Sequence, residues 1–309
     1  MQKKTGLRRL KASPLSSPIH YLYLLPAAIL ILIFIIYPIG DLIRLSFVKW
    51  NGLGKQTFVG VKNYVNTLKS SDFWFSMKIT LIWMLMSVFI LQTVGVFLAV
   101  IVERFVRTRA LSNTLRTIFF MPMMMSWVAI GLLWSLIYNA NMGLITGLLT
   151  SFGFVDPANP PNFLGSSSTA LFAAFVPVIW QWGGFGMILT SGAMLRIPRE
   201  LYEASALDGA SRVRQFFHIT LPLIMPTVFT GMTINMIGAF KGFDMIYAMT
   251  GGGPANYTRL TSLYIYNLAF TQNKYGSAAA ASVILMLVVV IFTVFFNKIG
   301  RLIDEKYSM

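Results

Sequence analysis

The sequence contains no cysteine, and only 10 of its 309 residues are acidic. Without cysteine there is no disulfide framework, no thiolate nucleophile and no cysteine-based metal site. Charged residues make up 11% of the chain, against about a quarter in an ordinary soluble domain, which is too little polar surface for a soluble protein of this size. The 56% of hydrophobic residues form continuous runs instead of the short alternating segments of a barrel, and this pattern predicts a helical membrane protein.

Motifs for nucleotide hydrolysis and for catalysis are also missing from the sequence. The phosphate-binding pattern GxxxxGK[ST] does not occur, because Gly54-Lys55 is followed by Gln56 and has no glycine at the earlier position. HExxH and GxSxG are absent, and the two histidines, His20 and His218, are explained as interfacial side chains. We therefore expect no catalytic residue, metal site or cofactor, and no ATP hydrolysis by a phosphate-binding loop of this chain.

Six uncharged runs are each long enough to cross the hydrocarbon core of a membrane, which takes about 20 residues of helix. They cover residues 21–39, 79–102, 117–138, 169–195, 219–240 and 275–296. Ion-coupled carriers usually place Asp, Glu or His within the bilayer, so these runs argue against that class. We predict an all-α integral membrane protein with six transmembrane helices.

The net charge of +15 indicates an orientation in the membrane, because the basic residues are clustered at alternate ends of the runs. The clusters are Lys3, Lys4, Arg8, Arg9 and Lys11; Arg104, Arg107, Arg109 and Arg116; Arg196, Arg199, Arg212 and Arg214; and Lys298, Arg301 and Lys306. The positive-inside rule then predicts that both termini are cytoplasmic, and the same distribution argues against a nucleic-acid partner. The chain divides into a basic N-terminus (1–20), a transmembrane domain (21–297) and a cytoplasmic tail (298–309).

The segment 196–218, between the fourth and fifth runs, is the most highly charged connection. At about 2.5–3.5 kcal/mol for each central charge, its seven permanent charges would cost roughly 20 kcal/mol in lipid, so it must lie in the cytoplasm or at the interface. Pro198 suits the first helical position, Glu200 and Glu203 suit the positive end of a helix, and Gly209 suits a left-handed stop. From these signals alone, a docking helix and an ordinary amphipathic connector remain equally plausible.

The same segment resembles the cytoplasmic signature of the permease subunits of ABC importers, which is Glu-Ala-Ala, three residues, glycine, nine residues and Ile-x-Leu-Pro. The matching residues are Glu203, Ala204, Ser205, Gly209, Ile219, Leu221 and Pro222. Only Ser205 departs from the pattern, by a change from one small residue to another. The resemblance implies a cytoplasmic coupling helix that contacts an ATPase subunit, with the contact formed by Glu203, Ala204, Ser205, Asp208, Gly209, Leu221 and Pro222.

Further segments are similar to the sugar-importer branch of that family, and to the first of its two paired permeases. They are residues 58–64, 162–165, 251–254, 264–270 and 275–280. The resemblance implies a heterodimer with a second permease, two ATP-binding subunits, an extracytoplasmic solute-binding protein and a sugar, expected to be a di- or oligosaccharide. Glycerol phosphate is the alternative solute. An ion-coupled carrier and a scaffold that moves no solute are the alternatives outside the family.

The predicted sugar-lining residues lie on the fourth and fifth runs, at positions similar to the sugar-lining stretches of maltose-type permeases. They are Trp180, Gln181, Trp182, Phe185, Asn235, Gly238, Lys241 and Gly242. Sugars need aromatic faces for stacking and uncharged hydrogen-bonding groups, which tryptophan, glutamine and asparagine provide. The competing interpretation is that these aromatic residues are packing or interface anchors.

Overall fold

The computed structural model describes residues 19–106 and 108–307, and the side chains of residues 23–106 and 108–305. The basic residues Lys3 to Lys11 of the predicted cytoplasmic N-terminus therefore lie outside the described residues. Arg107 and the last two residues of the predicted tail also lie outside them.

Up to Ser151, the described chain forms helices and one small hairpin. The helices are α1 (Ile19–Ile31), α2 (Tyr37–Ser46), α3 (Lys62–Lys69), α4 (Ser71–Met86), α5 (Gln92–Val100), α6 (Arg109–Phe120), α7 (Trp127–Ile137) and α8 (Leu144–Ser151). Strands β1 (Val48–Lys49) and β2 (Thr57–Phe58) pair antiparallel. Single π-helical turns, Leu32–Ile36 and Ser87–Leu91, join α1 to α2 and α4 to α5, and a third, Ile101–Phe105, follows α5.

The rest of the described chain is also helical. Its helices are α9 (Ala170–Met194), α10 (Arg199–Leu207), α11 (Arg212–Gln215), α12 (Leu221–Phe240), α13 (Asp244–Thr250), α14 (Thr261–Tyr266) and α15 (Tyr275–Tyr307). The π-helical turn Phe216–Thr220 joins α11 to α12. Pro177 and Pro226 lie inside α9 and α12, and both helices remain continuous through them.

Five of the six predicted spans correspond to continuous helices that are long and apolar enough to cross a membrane. These helices cover Tyr23–Ser46, Ser71–Phe105, Ala170–Met194, Arg212–Phe240 and Tyr275–Glu305. The third predicted span, 117–138, is broken: Arg109–Met124 and Trp127–Ile137 meet at a 100° bend. The chain turns there because Met125 and Ser126 adopt extended backbone conformations, just after a short 3-10 turn that contains Pro122.

Helix α9 lies at the centre of the bundle and packs against α5, α6 and α12. Its contact with α5 is backbone to backbone, because a β-carbon on Gly95 would lie 2.7 Å from the Gly186 Cα atom. By contrast, the helix Tyr23–Ser46 is exposed along its apolar length within the chain. An apolar surface of this extent is stable in lipid or against another apolar surface, as expected for a membrane-spanning helix.

Candidate functional site

Helix α10 occupies the predicted coupling segment and begins one residue later than expected. Pro198 is the N-cap with an extended backbone, and Arg199 is the first helical residue. The predicted stop is confirmed: Gly209 has φ +77°, in the left-handed region that favours glycine. The Ala210 amide donates to the Ser205 carbonyl (2.9 Å), and the Gly209 amide donates to the Ala206 carbonyl (3.0 Å), which closes the helix in a Schellman motif.

A group of polar side chains, which we call the anchor cluster, attaches α10 to the transmembrane helices. It consists of Arg104, Tyr202, Ser205, Gln215 and Thr220. The Gln215 side-chain amide donates to the Tyr202 carbonyl (3.0 Å) and to Ser205 Oγ (2.9 Å). The Tyr202 hydroxyl lies 2.9 Å from Thr220 Oγ1, at the start of α12. The anchor cluster therefore joins α10 to the start of α12 by direct side-chain contacts.

Arg104 extends the anchor cluster to the helix Ser71–Phe105. Its Nη2 atom donates to Thr220 Oγ1 (3.0 Å), and its guanidinium carbon lies 3.9 Å from the centre of the Tyr202 ring, a cation–π contact. Nearby, Arg116 on α6 forms a 2.6 Å ion pair with Glu103. Helix α10 is thus tied by polar contacts to the helices Arg212–Phe240 and Ser71–Phe105, and the second of these is paired in turn with α6.

The predicted coupling residues fall into three groups. Glu203, Ala204, Asp208 and Gly209 are exposed on α10 and the turn after it, where a partner could reach them. Ser205 belongs to the anchor cluster, and its hydroxyl accepts the hydrogen bond from Gln215 that an alanine could not accept. Leu221 and Pro222 are half-buried in the first turn of α12. Leu207, which lies outside the signature residues, has a side chain that is 91% exposed at the end of α10.

A cavity of about 410 Å³ lies farther along the bundle, between α4, α7, α9, α12 and α13. Five of the eight predicted sugar-lining residues border it: Trp182, Asn235, Gly238, Lys241 and Gly242. The structure adds Trp83, Ser87, Trp127, Phe243 and Asp244, among others, to this central cavity. Trp83 and Ser87 are four residues apart and share one face of a helix. That spacing is a sequence signal for a shared aromatic and polar face of one helix.

The other three predicted residues lie outside the lining of the central cavity. Successive helical residues point about 100° apart, so the run 180–182 cannot face one cavity. Trp180 packs beside Trp134, with ring centres 6.1 Å apart, and its side chain is 41% exposed. The Gln181 amide is buried and donates to the Met125 carbonyl (3.0 Å) at the bend before α7. Phe185 lies edge-on to Trp182, with ring centres 5.5 Å apart.

The chemistry of the central cavity is aromatic and uncharged overall. The indole rings of Trp127 and Trp182 are stacked with centres 6.0 Å apart. Lys241 and Asp244 are the two charged residues of its lining, so their formal charges cancel. In the part of the chain that the structure describes, neither of them forms an ion pair and the Asn235 amide has no hydrogen bond to protein. Such groups suit a neutral hydroxylated molecule.

A second cavity, of about 600 Å³, lies at the opposite end of the bundle from α10. It is formed by the β1–β2 hairpin, α3 and the start of α15, and its lining includes Lys49, Lys55, Lys62 and Lys274 but no acidic residue. We call it the lysine cavity. Its walls are fixed by buried Asn63, which donates to the Ser46 and Val48 carbonyls (both 2.9 Å).

A predominantly helical membrane bundle with a central cavity and a charged helix tied to one end fits a membrane permease subunit. Residues 93–306 match the family described as "Binding-protein-dependent transport system inner membrane component", and the chain belongs to this family.

Two curated relatives and one solved transporter illustrate the similarity. The "Probable ABC transporter permease protein YurN" of Bacillus subtilis is 34% identical, over 84% of this chain and 88% of that protein. The "Trehalose/maltose transport system permease protein MalF" of Thermococcus litoralis is 32% identical, over 91% of this chain and 93% of that protein. Crystal structures of a bacterial ABC transporter that imports the acidic polysaccharide alginate, one with an alginate pentasaccharide-bound periplasmic protein, contain a similar chain. It has a TM-score of 0.80 and 26% identity, with 92% of this chain covered and 94–95% of that chain.

Proposed function

We propose that this permease conducts a neutral sugar, a di- or oligosaccharide, through the central cavity. The observation that carries the proposal is the combination of aromatic side chains, an available amide at Asn235 and cancelling charges in that cavity. Indole faces stack on the apolar faces of sugar rings, and the amide can both donate to and accept from hydroxyl groups. The cancelling charges favour a neutral sugar over glycerol phosphate, since an anion would favour a cationic cavity.

The proposed assembly has a second permease, two ATP-binding subunits and an extracytoplasmic solute-binding protein. With the termini in the cytoplasm, α10 lies at the cytoplasmic end and the exposed residues Glu203, Ala204, Asp208 and Gly209 contact an ATPase subunit. The anchor cluster supports this role, because it links the contact surface to α12, which lines the central cavity. Closure of the ATPase dimer then moves α10 and, through it, the walls of the cavity.

The central cavity is tested by substitution of Trp182 and Asn235 with alanine, each in the assembled transporter. We expect each change to raise the KM for sugar uptake about tenfold, because a lost hydrogen bond or aromatic contact costs about 1 kcal/mol or slightly more. Trp180→Ala is the matched control, since it removes the same side chain outside the cavity lining. Uptake that responds equally to Trp180→Ala and Trp182→Ala would contradict the proposed path.

The lysine cavity is the proposed docking site for acidic side chains of the solute-binding protein. The structure describes no ion pair for Lys49, Lys55, Lys62 or Lys274, all of which are exposed, so each is available to a carboxylate. Changing all four to glutamine should weaken binding of that protein about tenfold and reduce its dependence on salt. Lys69→Gln with Lys78→Gln serves as the control for lost charge elsewhere on the chain. An affinity unaffected by the fourfold change would exclude this docking site.

A further inference from the structure

Gln92 is a fully buried amide without a hydrogen-bond partner among the described residues. Its side chain is 1% exposed, and neither Oε1 nor Nε2 is paired. Buried amides in native proteins are nearly always hydrogen-bonded, because an unmade bond destabilises the fold, so an exception requires an explanation. Gln92 also directly follows the π-helical turn Ser87–Leu91, and single π-helical turns within α-helices are frequent at functional sites.

Gln92 lies next to the central cavity, beyond its lining, at the end nearer to α10. Leu91, the preceding residue, lines the cavity. The Gln92 side chain lies against Gly231 of α12, where an added β-carbon would be 2.3 Å from Oε1. Gly231 is four residues before Asn235 and shares its face of α12. Because α12 runs from the anchor cluster toward the cavity, Gln92 lies one helical turn from Asn235, on the side nearer to α10.

Beyond Gln92, toward α10, the bundle is tightly packed and mainly apolar. Gly95 and Gly186 bring α5 and α9 into backbone contact, and Met187, Ile224 and Val228 are buried in the cluster that follows. We call this packed region the cavity floor. A solute that leaves the central cavity toward α10 must separate the floor. Gln92 is a buried polar group at the edge of the floor that faces the cavity, and the buried hydroxyls of Thr190 and Ser191 lie farther along α9.

We propose that Gln92 is a further solute-contact residue, whose amide hydrogen-bonds the hydroxyl groups of the solute as the cavity floor opens. This inference rests on the proposed function of the central cavity. An amide both donates and accepts, so it matches a neutral hydroxylated solute. The unpaired Gln92 amide destabilises the state in which the cavity floor is closed. A hydrogen bond between this amide and the solute stabilises the state in which the floor is open. The solute thereby shifts the equilibrium between two states through its differential interaction with them.

The test replaces Gln92 with leucine, an apolar side chain of similar size, in the assembled transporter. We expect the Tm of the purified complex to stay the same or to rise by a few degrees, because an unpaired buried amide is removed. We expect kcat for sugar uptake to fall about tenfold. Gln92→Asn, which keeps a shorter amide, should restore part of the uptake, a result that a purely structural role would not produce.

Gln181→Leu is the matched control, because Gln181 is a buried amide whose Nε2 donates to the Met125 carbonyl, although its Oε1 is unpaired. This variant should lower the Tm, and any loss of uptake should follow the loss of folded complex. The inference is overturned if Gln92→Leu leaves uptake unchanged, or lowers the Tm as Gln181→Leu does. Failure of the inference alone leaves the effects of Trp182→Ala and Asn235→Ala intact, whereas failure of the proposed function removes those effects as well.

Discussion

Replacing Gly209 with aspartate should reduce solute-stimulated ATP hydrolysis of the assembled transporter to its basal rate and abolish uptake. Gly209 has φ +77°, and an added β-carbon would meet open space, so the substitution has room on the exposed side of the chain. After glycine, asparagine and aspartate adopt the left-handed conformation most readily, so α10 keeps its end. The new carboxylate lies next to Asp208 on the surface assigned to the ATPase contact, where side-chain bulk and negative charge both obstruct docking.

Two control variants distinguish loss of the proposed ATPase contact from loss of the folded structure. Gly153 also has a positive φ, +72°, and open space around it, but it lies in the connection after α8, far from α10 in the sequence. Gly153→Asp should leave stimulated hydrolysis unchanged. Gly209→Asn adds bulk without charge and should retain part of the stimulation. Full stimulation in Gly209→Asp, measured in reconstituted vesicles by phosphate release, would exclude Gly209 from the contact.

Local physical chemistry was sufficient to predict the elements that depend on short stretches of chain. A run of about 20 uncharged apolar residues has few alternatives to a membrane helix, and five of the six predicted spans are continuous. The stop at Gly209 was equally predictable, because left-handed backbone favours glycine. Prolines were less informative: Pro177 and Pro226 remain inside continuous helices, whereas the bend at Met125 and Ser126 breaks the third span.

Features that depend on distant contacts were not predictable in the same way. The contact of Arg104 with Tyr202 and Thr220 joins residues about a hundred positions apart, and no local pattern indicates it. The cavity residues show the same limit. Trp182 and Asn235 were predicted to line the sugar site, and both border the central cavity. The neighbouring Gln181 contacts Met125 instead, because of its angle around the helix.

The second large expected effect concerns the source of energy for transport. The six apolar runs that predict the membrane spans contain no Asp, Glu, Lys or Arg with which to couple an ion gradient, and the sequence has no GxxxxGK[ST] phosphate-binding motif. In the proposed function, motion enters through α10, whose polar side chains contact α12 and the helix Ser71–Phe105. Removing the nucleotide should stop uptake completely, whereas a protonophore should have no direct effect on it.

The measurement that tests this most directly is uptake of labelled sugar into proteoliposomes. One set contains the purified chain alone, and the other contains the assembled transporter with its solute-binding protein, each with and without ATP. We expect accumulation in the assembled transporter with ATP and in no other sample. Accumulation by the chain alone without nucleotide, particularly if a protonophore abolished it, would contradict the account of α10 as the point where a separate ATPase drives the permease.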